Sequence, residues 1–123
     1  PLMAKKNFGR IINISSIYSQ RSRPGRCIYS CTKAALDSLT RSAAVEFSKF
    51  GVLVNSICPG FIDTELTRKH NTPATIEALV QRIPEGRMAE ASELCEIDSF
   101  LASEKNTYVT GQTINIDGAF SCT

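Results

Sequence analysis

The sequence predicts an α/β fold built on a parallel sheet, and three observations carry that prediction. Short runs of β-branched and apolar residues, Arg10–Ser15, Val52–Cys58 and Gly111–Ile116, read as buried strands. Long segments of helical spacing lie between them, so the order is β-α-β, then short helices, then α-β. Strands separated by helical crossovers pair in parallel. Turn residues close each strand or helix in the expected places: Gly51, Pro59-Gly60 and Asp117-Gly118.

Taken in order, Leu2, Met3 and the pair Lys5-Lys6 read as the end of a helix stopped by Gly9. Arg10–Ser15 follows as a strand, with Ser16 at its end. Open α/β sheets bind ligands at such carboxyl ends. Residues 17–27 form a polar loop turned by Pro24-Gly25. From Ile28 to Phe50 the pattern is helical, with Leu36, Leu39, Ala43, Phe47 and Phe50 as the expected buried stripe. Gly51 stops this helix. After the Val52–Cys58 strand, Leu66–His70 and Pro73–Val80 read as short helices, and Pro84–Arg87 as a turn. Ser92 is placed to cap a helix running to Ala102. Glu93 and Glu96 near its start suit the helix dipole.

Three strands and two long helices make an incomplete layer structure. A parallel sheet needs helices on both faces, and the first strand would have one edge without a neighbour. The expectation is a single partial domain over residues 1–123, marginally stable on its own.

Composition narrows the function. Of 123 residues, 42% are hydrophobic and 21% charged, ordinary for one globular unit. A net charge of +2 gives no footprint for nucleic acid or an anionic membrane. No apolar run approaches the ~20 residues that span a bilayer, and the first ten residues lack a signal-peptide core. The five cysteines, at 27, 31, 58, 95 and 122, are odd in number and not closely paired. They read as reduced, buried thiols of a cytoplasmic protein. His70 is the only histidine, and no metal site is expected. Asn13-Ile14-Ser15 fits a glycosylation pattern but lies inside a buried strand, so that reading is discarded.

The chemistry concentrates in Tyr29-Ser-Cys-Thr-Lys33, with Ser16 thirteen residues upstream. A Tyr and a Lys four apart share one helix face. An ammonium beside a phenol favours the phenolate. A serine hydroxyl from another segment can then hold a carbonyl or alcohol oxygen against that phenol, giving a proton donor-acceptor for an alcohol–ketone reaction. The bland alternative is one aromatic and one solvated amine on a helix. Arg21, Arg23 and Arg26 also leave two readings open: recognition of an anionic substrate, or a solvated basic loop, which is favoured.

The motif series Gly9-Arg-Ile-Ile-Asn-Ile-Ser-Ser16, Tyr29-Ser-Cys-Thr-Lys-Ala-Ala-Leu36, Val54-Asn-Ser-Ile-Cys-Pro-Gly60 and Tyr108-Val-Thr-Gly-Gln-Thr-Ile-Asn-Ile-Asp-Gly118 closely resembles the short-chain dehydrogenase/reductase family. The resemblance implies the C-terminal half of a doubly wound, Rossmann-like parallel-sheet fold. None of the seven glycines forms the family's Gly-x-x-x-Gly-x-Gly pyrophosphate turn, and its usual helix Asn is absent.

By this resemblance Ser16, Tyr29 and Lys33 are catalytic, and Tyr29 and Lys33 also face the nicotinamide ribose of NAD or NADP. Pro59, Gly60, Ile62 and Thr64 bind the cofactor, with Ile62 backbone and Thr64 hydroxyl toward the carboxamide or a phosphate. Ser16, Tyr18 and Gln20 line the pocket for a small carbonyl or alcohol substrate, and residues 65–83 form its lid. The intact protein is expected to be a homodimer or homotetramer. The reading from another class is a non-catalytic interaction or structural subunit. Asp117-Gly118-Ala119 departs from the family's frequent Asp-Gly-Gly. Ala disfavours positive φ, so a local difference is expected there.

Overall fold

A near-continuous run of buried residues, Val52 to Cys58, forms the middle of the molecule. The computed structural model describes residues 2–123. In it β2 (Val52–Pro59) lies between β1 (Gly9–Ile14) and β5 (Thr113–Ile116), and both pairings are parallel. The register sets Gly9 beside Val52 and Ile14 beside Ile57, then Ser56 beside Thr113 and Pro59 beside Ile116. Pro59 has no N–H to donate and stands at the strand's last position, where that is tolerated. The β5 strand is shorter than expected, beginning at Thr113 after Gly111 turns with φ of 71°.

The central strand carries two buried polar residues, and both are satisfied. Asn55 donates to the Val109 carbonyl at 2.8 Å and accepts from the Gln112 N–H at 3.1 Å, tying the approach of β5 to β2. Ser56 donates to Asp37 Oδ1 at 2.9 Å.

That second bond corrects the expected face of the long helix. In α2 (Cys27–Phe47), continued by a 3-10 turn over Ser48–Phe50, the buried residues are Asp37, Thr40 and Ala44. Part of the anticipated stripe points elsewhere, with Leu39 59% and Phe47 40% exposed, whereas Ala43 packs against the core and Leu36 is half-buried. Asp37 is held by Ser56, while Thr40 accepts from Asn13 Nδ2 at 2.8 Å and donates to the Leu36 carbonyl. Polar residues with complete hydrogen bonding occupy the inner face, so apolar periodicity pointed to the wrong side.

Two left-handed residues close the lower end. The helix α1 (Leu2–Lys6) is followed by Asn7 at φ of 53°, which takes the stop role expected of Gly9. Asn tolerates that conformation, and Gly9 instead begins β1. Gly51 turns at φ of 69° against Asn7, where any Cβ would lie 2.2 Å from the Asn7 carbonyl oxygen. Arg10 sits beneath them, donating to the carbonyls of Gly9, Gly51, Ser103 and Asn106, with its guanidinium 4.3 Å from the Phe8 ring.

The upper end is built from short pieces. A two-residue parallel pair, β3 (Ile62–Asp63) with β4 (Ala89–Glu90), was not foreseen, being too short for any pattern. Between them α3 (Glu65–His70) and α4 (Pro73–Val80) match the expected short helices and are capped by Thr64 and Thr72. The next helix, α5 (Ala91–Ala102), starts earlier than Ser92 would cap it: Glu90 is the cap residue, and its N–H donates to Glu93 at 2.8 Å.

Ala119 adopts φ of 65° despite its Cβ, a conformation that glycine takes without steric cost. Only Cys58 is a buried thiol. Cys27, Cys31, Cys95 and Cys122 are exposed, and all five are free, against the expectation of uniform burial. Among the described residues no helix is long and apolar enough to cross a membrane.

Candidate active site

Parallel pairing brings the carboxyl ends of β1, β2 and β5 to one side, and the predicted site residues gather there. Leaving β1, the chain keeps one more sheet bond, Ser15 N–H to the Ile57 carbonyl at 2.7 Å. It then turns into a 3-10 helix over Ile17–Ser19. Ser16 caps that turn, its Oγ accepting from the Tyr18 N–H at 3.2 Å. Ile17 anchors it in a small core with Ile83 and Phe120, against which Tyr18, Phe61 and Met88 pack. Ser16 is therefore buried and fixed.

Helix α2 rises beside this turn with Tyr29 in its first turn. The Lys33 ammonium, one turn on, donates to the Ile14 carbonyl at 2.7 Å and lies 5.7 Å from the Tyr29 ring centroid. The ring of Tyr18 meets that of Tyr29 edge-on at 6.4 Å, and the Arg26 guanidinium lies 5.6 Å from its centroid. Tyr29 is 39% exposed, so its phenol is open to a ligand while two cations flank its ring. Ser15 faces away: it donates to the Lys33 carbonyl at 3.3 Å, a local role in keeping with its place on the strand.

Of the expected pocket residues, Tyr18 stands beside Tyr29, its hydroxyl accepting from Arg23 at 3.4 Å. Gln20 is turned toward β5 and exchanges amide hydrogen bonds with Asn115. Arg21 does not face the pocket. Its guanidinium donates to the carbonyls of Phe120 and Thr123 and lies 5.4 Å from the Phe120 ring.

The Pro59–Thr64 segment follows β2 at the same end. Gly60 donates its N–H to the Ile116 carbonyl at 2.9 Å, and a Cβ at this glycine would meet Asp117 Cβ at 2.7 Å. Ile62 lies in β3, its carbonyl accepting from Thr67 Oγ1 at 2.8 Å. The Thr64 hydroxyl accepts from the Thr67 N–H at 3.2 Å as the cap of α3.

Three ion pairs flank the segments after β2. Arg87 bridges Glu85 and Glu93, both at 2.7 Å, and with the Glu90 N–H it holds the Glu93 carboxyl down to about 2. Arg68 pairs with Asp63 and lowers its pKa. Burial raises that of Asp98. Phe61 and Arg82 line a neighbouring cleft together with Arg23 and Arg26. The sequence carried no signal for Arg82, because only folding brings residue 82 against the loop before α2.

The sequence model of a family described as Enoyl-(Acyl carrier protein) reductase matches residues 1–121. The 3-oxoacyl-(acyl-carrier-protein) reductase FabG of Pseudomonas aeruginosa is 41% identical over 116 residues, covering 94% of this chain and 47% of that protein. The acetoacetyl-CoA reductase of Shinella zoogloeoides is 40% identical over 116 residues, covering 94% and 48%. A gluconate 5-dehydrogenase from Burkholderia cenocepacia, solved with NADP and tartrate, superposes with a TM-score of 0.92 at 35% identity, covering 99% of this chain and 48% of that one. The chain thus spans about half the length of the curated relatives it matches.

Proposed function

The chain belongs to the short-chain dehydrogenase/reductase family, and on that premise we propose that it is the catalytic half of an NAD(P)-dependent oxidoreductase interconverting an alcohol and a ketone or aldehyde. The carrying observation is the Ile14–Lys33–Tyr29 arrangement beside Ser16 at the strand ends.

The donor set fits the nicotinamide riboside end of the cofactor. Lys33 has three ammonium protons, and the Ile14 carbonyl takes one. The others, with the Tyr29 hydroxyl, suit a ribose diol. Pro59, Gly60, Ile62 and Thr64 stand at the same sheet end for the carboxamide side, with Thr64 contributing what its capping role leaves free. When bound, the nicotinamide donates or accepts the hydride at the substrate carbon.

This chain's residues handle the proton. In reduction Tyr29 Oη gives its proton to the carbonyl oxygen as that oxygen gains charge, and in oxidation it takes the proton back. The Lys33 cation stabilises negative charge developing on the phenol oxygen. Ser16 Oγ already accepts from the Tyr18 N–H, so its own O–H is left to donate to the substrate oxygen. Tyr18 borders the bound substrate, and Gln20 acts at its edge from Asn115.

The thioester reductases and the gluconate dehydrogenase among its relatives support a small carbonyl or alcohol substrate. The odd number and scattered spacing of the five cysteines support a cytoplasmic location. The outward apolar residues of α2, Leu39 at 59% and Val45 at 82% exposed, support a homodimer or homotetramer.

The test is Tyr29→Phe in the complete enzyme that carries this chain. Turnover is expected to fall about 10²–10⁴-fold while nucleotide still binds by fluorescence titration. Full activity in that variant would refute the proton-transfer role, whereas a parent protein with no turnover at all would favour an interaction subunit.

A further inference from the structure

We propose that Arg23, Arg26 and Arg82 form an anion site that holds a phosphate or carboxylate of the substrate away from its reacting carbon. This rests on the oxidoreductase reading and adds to it the class of substrate. The three arginines line one cleft of ≈ 400 Å³ with Phe61, and no carboxylate lines it. That volume lies within the roughly 300–1,000 Å³ of small-molecule sites.

Most other arginines are engaged. Arg10 is spent on four backbone carbonyls and Arg21 on the tail, while Arg68 and Arg87 are in ion pairs. Arg23, Arg26 and Arg82 make no ion pair among the described residues. Each instead lies over an aromatic ring: Arg23 5.8 Å from Tyr18, Arg26 5.6 Å from Tyr29 and Arg82 5.5 Å from Phe120. Stacking orients a guanidinium while leaving most of its N–H fork free for an oxyanion.

Bringing three like charges to one cleft from two separate segments opposes folding unless something of opposite sign joins them. Arg26 touches both this cleft and the proton-transfer ring. Arg26 thus links the cleft to the reacting side chain, so that a substrate's distant charged end and its carbonyl can be gripped together.

The experiment uses the complete enzyme with NAD or NADP present, so that the cofactor's own phosphate site is filled. Inorganic phosphate and tartrate are titrated separately by calorimetry. Saturable binding of either, weakened about tenfold by Arg82→Gln or Arg23→Gln and partly kept in Arg82→Lys, supports the site. Phosphate alone would identify a phosphorylated substrate, and tartrate alone a carboxylate. Tyr29→Phe must retain this binding. Loss of turnover without loss of anion affinity, or the reverse, thus separates the two readings. Absence of saturable binding by either probe, or unchanged affinity in both Gln variants with native melting curves, would overturn the anion site.

Discussion

Gly60 packs directly on Asp117, just past β5, and Gly60→Ala tests whether that close approach positions the proposed cofactor-side segment. Its φ lies outside the left-handed region, so only space is at issue. The added Cβ would sit 2.7 Å from Asp117 Cβ and 2.8 Å from Asp117 Cα. Carbon atoms pack at about 3.5–4.0 Å, so the two segments must part by roughly 1 Å. The neighbour is backbone and cannot rotate away. Overpacking of this kind costs about 1–3 kcal/mol, and a displacement of ~1 Å in a positioning segment can cost about 10²-fold in rate. The bond from Gly60 N–H to Ile116 would lengthen with it. In the complete enzyme we expect a lower melting temperature, a higher nucleotide KM and a lower kcat. Gly86→Ala is the contrast: nothing lies within 4 Å of its Cβ, and only its φ of +74° is penalised. It should cost ~1–2 kcal/mol and leave the nucleotide KM alone. Gly60→Ala with parental melting temperature and nucleotide KM would refute the close-approach argument.

Ala119→Gly should stabilise the fold. The left-handed backbone costs an L-residue about 1–2 kcal/mol and glycine loses about 0.5–1 kcal/mol more entropy on folding, leaving a net gain of roughly 0–1.5 kcal/mol; urea unfolding measures it, and a destabilised variant would contradict the φ of 65°. The Glu93 carboxyl, lowered from 4.5 to about 2, gives acid sensitivity. A depressed carboxyl pKa contributes stability above the unfolded value and loses it as the pH falls from about 4.5 through about 2. Glu93→Gln should flatten the fall in melting temperature across that window, and identical pH profiles would show that the Arg87 pairing contributes nothing there.

Much of this was legible in the sequence because strands buried on both faces and glycine-stopped helices leave strong local marks. Three strands, α2 and the two short helices fall where pattern and punctuation place them. The inner face of α2 was not legible, because Asp37 and Thr40 are buried by virtue of partners on β1 and β2 that periodicity cannot see. Asn7 and Ala119 accept a conformation for which glycine is the usual signal. In the site, Ser16, Tyr18, Tyr29 and Lys33 were legible as residues, and folding brings them to one sheet end. Arg21 is drawn to the C-terminal tail while Arg82 joins Arg23 and Arg26 at the cleft, because which arginine faces it depends on segments far apart in sequence.

The same backbone atoms that end β1 also organise the proposed chemistry. A parallel strand that stops leaves its last backbone groups without sheet partners. The Ile14 carbonyl is satisfied by accepting from Lys33, which fixes the ammonium near Tyr29. The Tyr18 N–H is satisfied by donating to Ser16 Oγ, which leaves the serine proton as the group free to point outward. Lys33 and Ser16 therefore take their orientation from backbone groups of β1 and of the turn that follows it rather than from one another. Losing the phenol oxygen of Tyr29 should leave Lys33 and Ser16 in place. This physical reason makes nucleotide binding expected to survive Tyr29→Phe, whereas a change such as Gly60→Ala, which shifts backbone, should disturb binding and chemistry together.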